Sequence, residues 1–520
     1  MKRRDFLGSV GKSTAAVIVV RSEFWRIARA AETAFSGPKP NIIVILVDDL
    51  GYADLGIQDS TDIPTPNIDS IGKNGVRFTQ GYVSCPLCAP TRAGLMTGRY
   101  AQRFGFEHNP GSQNQAEQDF GLPLTETTLA ERLKRLGYVT GIVGKWHLGF
   151  KPELQPTKRG FDEFFGFLGG AHPYLPGKGQ APILRGTNPV EEKEYLTDAF
   201  GREATAFIDR HKKDSFFLYL PFNAVHAPMQ TTEKYLSRFP NIKDETRRTH
   251  AAMLSALDDM VGKVLAKLRE ERLEEKTLII LLSDNGGPTQ QTTSSNAPLR
   301  GFKAQVLEGG IRIPFMIQWK GRLRAGKIDD RPIISLDIHP TAIAAAGEAV
   351  DPSWKLDGVN LLPYLMDAKG GVPHETLYWR MEPQWAIRHG NLKLLWSGAN
   401  QDALYNLAHD PGESKNLASE HPEDVKKLKA LYDAWNDQMQ EPKWQRSGGR
   451  PPARAQLLNP NANLTPAQIR RQFAALDTNK DGRLTAAEWP RPRAFRLMDI
   501  NKDGVVTLEE ALQFFRRRQR

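Results

Sequence analysis

A chain of 520 residues, 40% hydrophobic and 25% charged, is too long for one ordinary core and too polar for a membrane-embedded protein. Its net charge of +10 suggests a nucleic-acid partner, but the placement argues against one: residues 1–30 carry seven Lys/Arg against two Asp/Glu, residues 516–520 carry four Arg, and the body between is near neutral. The only cysteines, Cys85 and Cys88, leave no disulfide framework and no four-thiolate zinc site.

The chain opens Met1-Lys2-Arg3-Arg4-Asp5-Phe6-Leu7, followed by the apolar stretch Ala15-Ala16-Val17-Ile18-Val19-Val20 and the small-x-small triplet Ala28-Arg29-Ala30. That apolar stretch is far below the roughly 20 residues of a membrane span. Residues 1–36 are therefore predicted to be a twin-arginine export signal, giving a periplasmic or secreted protein with no transmembrane span.

Pro40–Val47, Tyr138–Val143, Phe216–Leu220 and Thr277–Leu282 are short runs, apolar on both faces, as central strands of a covered parallel sheet are. Helical patterns at Thr127–Leu136 and Ala251–Leu268 alternate with them, which predicts a layered α/β domain over residues 37–345. Leu377–Arg380, Gln384–Arg388 and Leu392–Trp396, with a Gly390-Asn391 turn, predict a smaller antiparallel sheet within residues 346–443. Residues 444–464, rich in Pro, Gly, Arg, Asn and Gln, read as a linker.

The tail, 465–520, carries two twelve-residue loops with oxygen side chains at positions 1, 3, 5 and 12 and glycine at 6. The first offers Asp477, Asn479, Asp481 and Glu488, the second Asp499, Asn501, Asp503 and Glu510, with the carbonyls of Arg483 and Val505 at position 7. These predict a small all-α EF-hand pair binding two calcium ions. Thr465 with Gln468 marks a helix start. Only ten residues, among them Pro490 and Pro492, separate the loops, so the middle helices must be short.

The chemistry-bearing residues follow the strands. Asp48-Asp49 and Asp284-Asn285 each end one, where open α/β sheets bind ligands. Three carboxylates and an amide oxygen form a hard donor set suited to Ca²⁺ or Mg²⁺. Lys145 and His147 follow another strand and, two apart in extended chain, are predicted to point the same way. His226 follows a fourth, and Lys303 supplies a further cation in a loop. Cys88 stands just before Pro90, at a predicted helix start where free N–H groups favour an anion, and Gly98 is positioned to end that helix. The Cys85–Cys88 spacing also fits a redox C-x-x-C motif, which accounts for none of the other groups.

The run Cys88-Ala89-Pro90-Thr91-Arg92, with Leu95-Met96-Thr97-Gly98-Arg99 after it, resembles the signature of the formylglycine-dependent sulfatases, type I enzymes of the alkaline phosphatase superfamily that include arylsulfatases and N-acetylgalactosamine-6-sulfatases. Thr91 stands where many relatives have serine. The resemblance covers about residues 40–435 and implies an alkaline-phosphatase-like fold and hydrolysis of a sulfated carbohydrate or aryl sulfate. It implies that Cys88 is oxidised by a formylglycine-generating enzyme, and that its aldehyde hydrate attacks sulfur. Asp48, Asp49, Asp284, Asn285 and the modified Cys88 then look like ligands of one calcium ion. Arg92, Lys145, His147, His226 and Lys303 look like the sulfate-binding and proton-transfer set. His172, Trp385 and Arg388 are candidate substrate contacts. Two rivals stand beside this reading: a phosphonate or phosphate monoester hydrolase of the same superfamily, and an inactive calcium-dependent binding protein.

Overall fold

Asn41–Val47 is buried at every residue, as a strand covered on both faces must be. In the computed structural model, which describes residues 35, 37–111, 119–177, 181–397, 402–444, 457–458, 460, 464–485, 488–489 and 492–518, this strand lies near the middle of a ten-stranded sheet. The predicted export signal and most of the predicted linker lie outside the described residues.

In chain order the strands of the α/β body are β1 (Asn41–Val47), β2 (Val76–Phe78), β3 (Gly81–Tyr82), β4 (Val139–Lys145), β5 (Glu163–Phe167) and β6 (Ile183–Arg185). They continue with β7 (Asn188–Val190), β8 (Phe216–Pro221), β9 (Thr277–Ser283), β10 (Phe315–Gln318), β11 (Lys327–Asp329) and β12 (Ile333–Ile334). The sheet order is β11-β2-β10-β9-β1-β8-β4-β5-β6-β7, and its central strands β9, β1, β8, β4 and β5 run parallel. Ile42, Val44 and Leu46 of β1 enter one buried cluster while Ile43, Ile45 and Val47 enter the other, the period-two alternation of a doubly covered strand.

Helices Leu196–His211 and Glu245–Glu270 cover the second face. Glu245–Glu270 begins earlier than its apolar pattern, because Asp244 caps it by accepting from the Arg247 N–H and its first turn is polar. Helix Leu129–Arg135 is closed by a reciprocal capping box between Thr128 and Glu131.

The smaller sheet contains β13 (Thr376–Met381), β14 (Gln384–His389), β15 (Leu392–Trp396) and an unforeseen fourth strand, β16 (Ala403–Asn406), all antiparallel. The first buried cluster continues into it through Trp379, Ile387 and Leu394 and onto Tyr432 and Trp435 of helix Pro422–Asn436. At this junction the Lys393 ammonium lies 2.8 Å from Glu308 and 2.9 Å from Glu413, all three fully buried. Lys393→Met leaves two buried carboxylates without that partner and is expected to destabilise the fold by about 3–5 kcal/mol, read from chemical denaturation; a loss below about 1 kcal/mol would contradict it.

The tail contains helix Pro466–Leu476, β17 (Arg483–Thr485), helix Pro492–Met498, β18 (Val505–Thr507) and helix Leu508–Arg518. Ile469, Phe473, Leu476, Leu512 and Phe515 meet in a separate buried cluster. The unit is not purely helical: β17 and β18 form a short antiparallel ladder with Leu484 opposite Val506. Arg471 reaches Glu382 of the β13–β14 turn at 3.3 Å. No helix among the described residues is long and apolar enough to cross a membrane.

Candidate active site

Four adjacent parallel strands, β9, β1, β8 and β4, end at one edge of the sheet and deliver polar residues there. Val47 pairs with Ser283, so Asp48-Asp49 and Asp284-Asn285 leave the sheet side by side. His226 follows β8, Lys145 ends β4, and Lys303 comes from the loop before Glu308. Cys88 is the first residue of helix Cys88–Thr97, with Pro90 in the first turn and Gly98 ending it at φ 69°. Thr91, the departure from serine, is buried and donates to the Cys85 carbonyl at 2.7 Å.

Single ligand atoms of Asp48, Asp49, Cys88 and Asp284 lie within 4.8 Å of one another, with Cys88 Sγ 3.7 Å from Asp48 Oδ1. Three cations face these three carboxylates. Lys145 Nζ is 2.6 Å from Asp48, Lys303 Nζ is 2.6 Å from Asp49, and Arg92 Nη2 is 2.7 Å from Asp284. Asn285 donates to Asp49 at 2.6 Å, while its own Oδ1 is buried with no protein partner.

Burial favours the neutral acids, but Lys145, His226 and Arg92 outweigh it at Asp48, and Lys303 and His226 at Asp49, so both carboxyls are held below the ordinary range. Burial pushes the Cys88 thiol up to about 12, against the pull of Lys145 and Lys303. Burial, then Lys145 and Arg92, drive His147 well below the usual imidazole range, so it is neutral, and its Nδ1 has no protein partner. Nδ1 of His226 contacts the Ala227 carbonyl and must donate to it, which turns Nε2 toward Asp49 at 3.7 Å.

The structure refines two expectations and places three other residues outside the cavity over Cys88. His147 does not continue an extended chain beside Lys145: its φ of 61° is left-handed, so a backbone turn rather than strand alternation brings it to the site. Arg92 braces Asp284 and the Lys145 carbonyl instead of standing open to a ligand. His172 is buried with both ring nitrogens against the Pro173 and Ala181 carbonyls. Trp385 stacks on Tyr432 at 4.4 Å inside the core. Arg388 is buried, donating to Tyr82 Oη and the Gly390 carbonyl. None of these three side chains lines the cavity over Cys88.

That cavity, about 390 Å³, is bounded by Cys88, His147 and His226 on its polar side and by Phe150, Phe167, Leu168 and Pro182 on an apolar wall. Asn109, also at its edge, accepts from the Ala89 N–H at 2.9 Å and so caps the Cys88 helix. Sequence reasoning missed Asn109 because its cap is made across a gap of 20 residues, outside any local signature.

In the tail, the two loops repeat one hydrogen-bond scheme. Asp477 accepts from the Asp481 and Gly482 N–H groups as Asp499 does from Asp503 and Gly504. Glu488 closes the first loop by accepting from Thr478 and Thr485, and Glu510 closes the second through Ile500 and Thr507. Hydrogen bonds from Thr485 lower Glu488 to about 2. Gly482 and Gly504 take φ values of 78° and 84°, the sharp turn of such loops.

The family model described as sulfatase matches residues 40–348, and the one described as EF hand matches 469–491 and 493–514. The uncharacterized sulfatase YdeN of Escherichia coli K12 is 30% identical over 496 residues, 78% of this chain and 86% of that protein. N-acetylgalactosamine-6-sulfatase of Canis lupus familiaris is 32% identical over 451 residues, 79% and 84% respectively. The crystal structure of Ps i-CgsB in complex with k-i-k-neocarrahexaose superposes with a TM-score of 0.76 at 36% identity, covering 79% of this chain and 96% of that one. The chain accordingly belongs to the sulfatase family, as a sulfuric ester hydrolase with an EF-hand pair in its tail.

Proposed function

We propose that this enzyme removes sulfate from a sulfated carbohydrate, with Cys88 converted to formylglycine and one calcium ion held by Asp48, Asp49, Asp284, Asn285 and residue 88. One observation carries the reading: a cysteine with its thiol pushed up to about 12 sits inside a cluster of hard oxygens. As a protonated thiol it is a poor nucleophile and a poor partner for calcium. As an aldehyde hydrate it supplies oxygen for both purposes. The orphaned Asn285 Oδ1 fits an additional hard ligand. Calcium, when bound, supplies positive charge against the sulfate oxygens.

The three carboxylates and three cations cancel, so a divalent ion leaves the site positive, as a sulfate ester anion requires. One hydroxyl of the hydrated residue 88 gives its proton to a carboxylate of the surrounding Asp48, Asp49 and Asp284 cluster as its oxygen attacks sulfur, and the bond from sulfur to the alcohol oxygen breaks. His226, its Nδ1 committed to Ala227, protonates that oxygen through Nε2, with Lys303 beside it. His147, neutral and with a free Nδ1, takes the proton of the second hydroxyl. The aldehyde re-forms as sulfate leaves, and water rehydrates it. Each proton transfer is worth about 10²–10⁴ in rate.

A sugar substrate is supported by the names of the relatives, by the oligosaccharide in the Ps i-CgsB complex, and by the apolar wall of Phe150, Phe167 and Leu168, which suits the C–H face of a ring. The same reading makes residues 1–36 a twin-arginine signal, 37–345 and 346–443 the two parts of the enzyme, 444–464 a linker, and 465–520 a unit binding two further calcium ions. Twin-arginine export carries folded protein, so oxidation of Cys88 precedes export to the periplasm or beyond. Parallel assays on an aryl sulfate and an aryl phosphonate, with mass spectrometry of the Cys88 peptide, test the proposal. The expected result is sulfate preference and an aldehyde at residue 88; preference for the phosphonate, or an intact thiol in active protein, overturns it.

A further inference from the structure

Lys303 lies at the tip of a loop whose backbone is strained, and a residue of the distant small sheet holds that loop. Ala304, next to it, has a φ of 67°, unfavourable for any residue with a Cβ. Such a conformation persists only where its surroundings over-determine it. Here both backbone groups of Ala304 are taken. Its N–H donates to the Pro86 carbonyl at 2.9 Å, two residues before Cys88. Its carbonyl accepts from Nε2 of Gln384 at 3.0 Å. Oε1 of the same Gln384 accepts from the Val306 N–H at 3.3 Å. One side-chain amide therefore spans the backbone on the far side of Lys303, and a second tie joins that backbone to the nucleophile's own segment.

Gln384 can do this because it opens β14. Its neighbour Trp385 points into the core against Tyr432, and strand alternation turns Gln384 the other way, toward the Lys303 loop. The lysine needs such a brace. Its long side chain has many rotamers, and its Nζ must stay near the Asp49 carboxylate while serving the leaving oxygen; the contact to Asp49 is 2.6 Å.

We infer that Gln384 is a positioning residue for catalysis: its amide clamps Ala304 and Val306 and so fixes Lys303 at the leaving-group side of the site. The inference rests on the role proposed above for Lys303. Loss of the clamp shifts the ammonium relative to the departing oxygen, and misplacement on the order of 1 Å is enough to cost about 10²-fold. The penalty falls where the leaving group most needs help.

The experiment compares Gln384→Leu with wild type on phenyl sulfate and on p-nitrophenyl sulfate, whose leaving groups differ in basicity, and repeats both in a Lys303→Ala background. The expected result is a drop in kcat of about 10- to 100-fold on phenyl sulfate, a smaller drop on the nitrophenyl ester, and no further loss from Gln384→Leu once Lys303 is gone. Gln384→Glu, which keeps the acceptor for Val306 and loses the donor to Ala304, is expected to fall between. Equal losses on both esters, or losses that add to those of Lys303→Ala, would make Gln384 a structural residue only and overturn the inference. Absence of turnover by the wild type on either ester instead strikes the proposed function and is distinguished in that way.

Discussion

Cys88→Ser is expected to lose at least about 10⁴-fold in steady-state turnover of an aryl sulfate while releasing about one equivalent of phenol per enzyme. The position is buried, and serine is slightly smaller than cysteine, so the fold and the thermal midpoint are expected to stay near wild type. A serine hydroxyl stands where the carboxylates and cations converge, so attack on sulfur remains open to it. What it lacks is a second hydroxyl. His147 then has no proton to take, no carbonyl can form, and sulfate stays on the side chain. Mass spectrometry is expected to find one added sulfo group on the peptide containing residue 88, and none in Cys88→Ala. Turnover within tenfold of wild type, with serine verified at residue 88, would refute the second-hydroxyl mechanism.

Asp284→Asn is expected to lower kcat/KM by about 10²–10³-fold, the scale on which a single preorganised electrostatic group acts. Asp284 accepts two bonds from Arg92, at 2.7 and 3.1 Å, and one from the Asp49 N–H at 3.2 Å. The amide keeps the shape and one acceptor but removes the charge paired with buried Arg92, so the thermal midpoint is expected to fall as well and is read beside the activity. Chelation of wild type is expected to abolish activity reversibly without unfolding, since Asp48, Asp49 and Asp284 each retain a cation partner. The proposed calcium ions of the site and of the tail are separated in the same experiment. Glu488→Gln with Glu510→Gln should remove the tail ions seen by calorimetry and leave the calcium dependence of turnover unchanged; the reverse pattern would assign the catalytic requirement to the tail.

The strands were legible because they are apolar on both faces, a pattern that survives without knowledge of neighbours, and the site was legible because polar pairs such as Asp48-Asp49 and Asp284-Asn285 interrupt those runs abruptly. The EF-hand loops were legible because all their ligands come from twelve consecutive residues. What stayed hidden depends on tertiary placement. Nothing local distinguishes Trp385 on a core face from Trp385 at a cavity; its stacking partner Tyr432 is contributed by a helix far along the chain. His147 lines the cavity with Cys88, but through a left-handed backbone that has no signature in the residue itself. Asn109 and Gln384 are ordinary polar residues whose partners lie 20 and about 80 positions away. Strand β16 is four residues long, too short for an alternation to register.

The ends of β9, β1, β8 and β4 have a wider consequence. Asp48, Asp49, Lys145, His226, Asp284 and Asn285 end or directly follow the deeply packed strands, while Phe150, Leu168 and Pro182 of the cavity's apolar wall come from loops. On the proposed reading, reaction chemistry and sugar choice are written largely into different kinds of segment. Such a division would let selection exchange one sulfate ester for another by editing the loop wall, with little retuning of the charges at the strand ends.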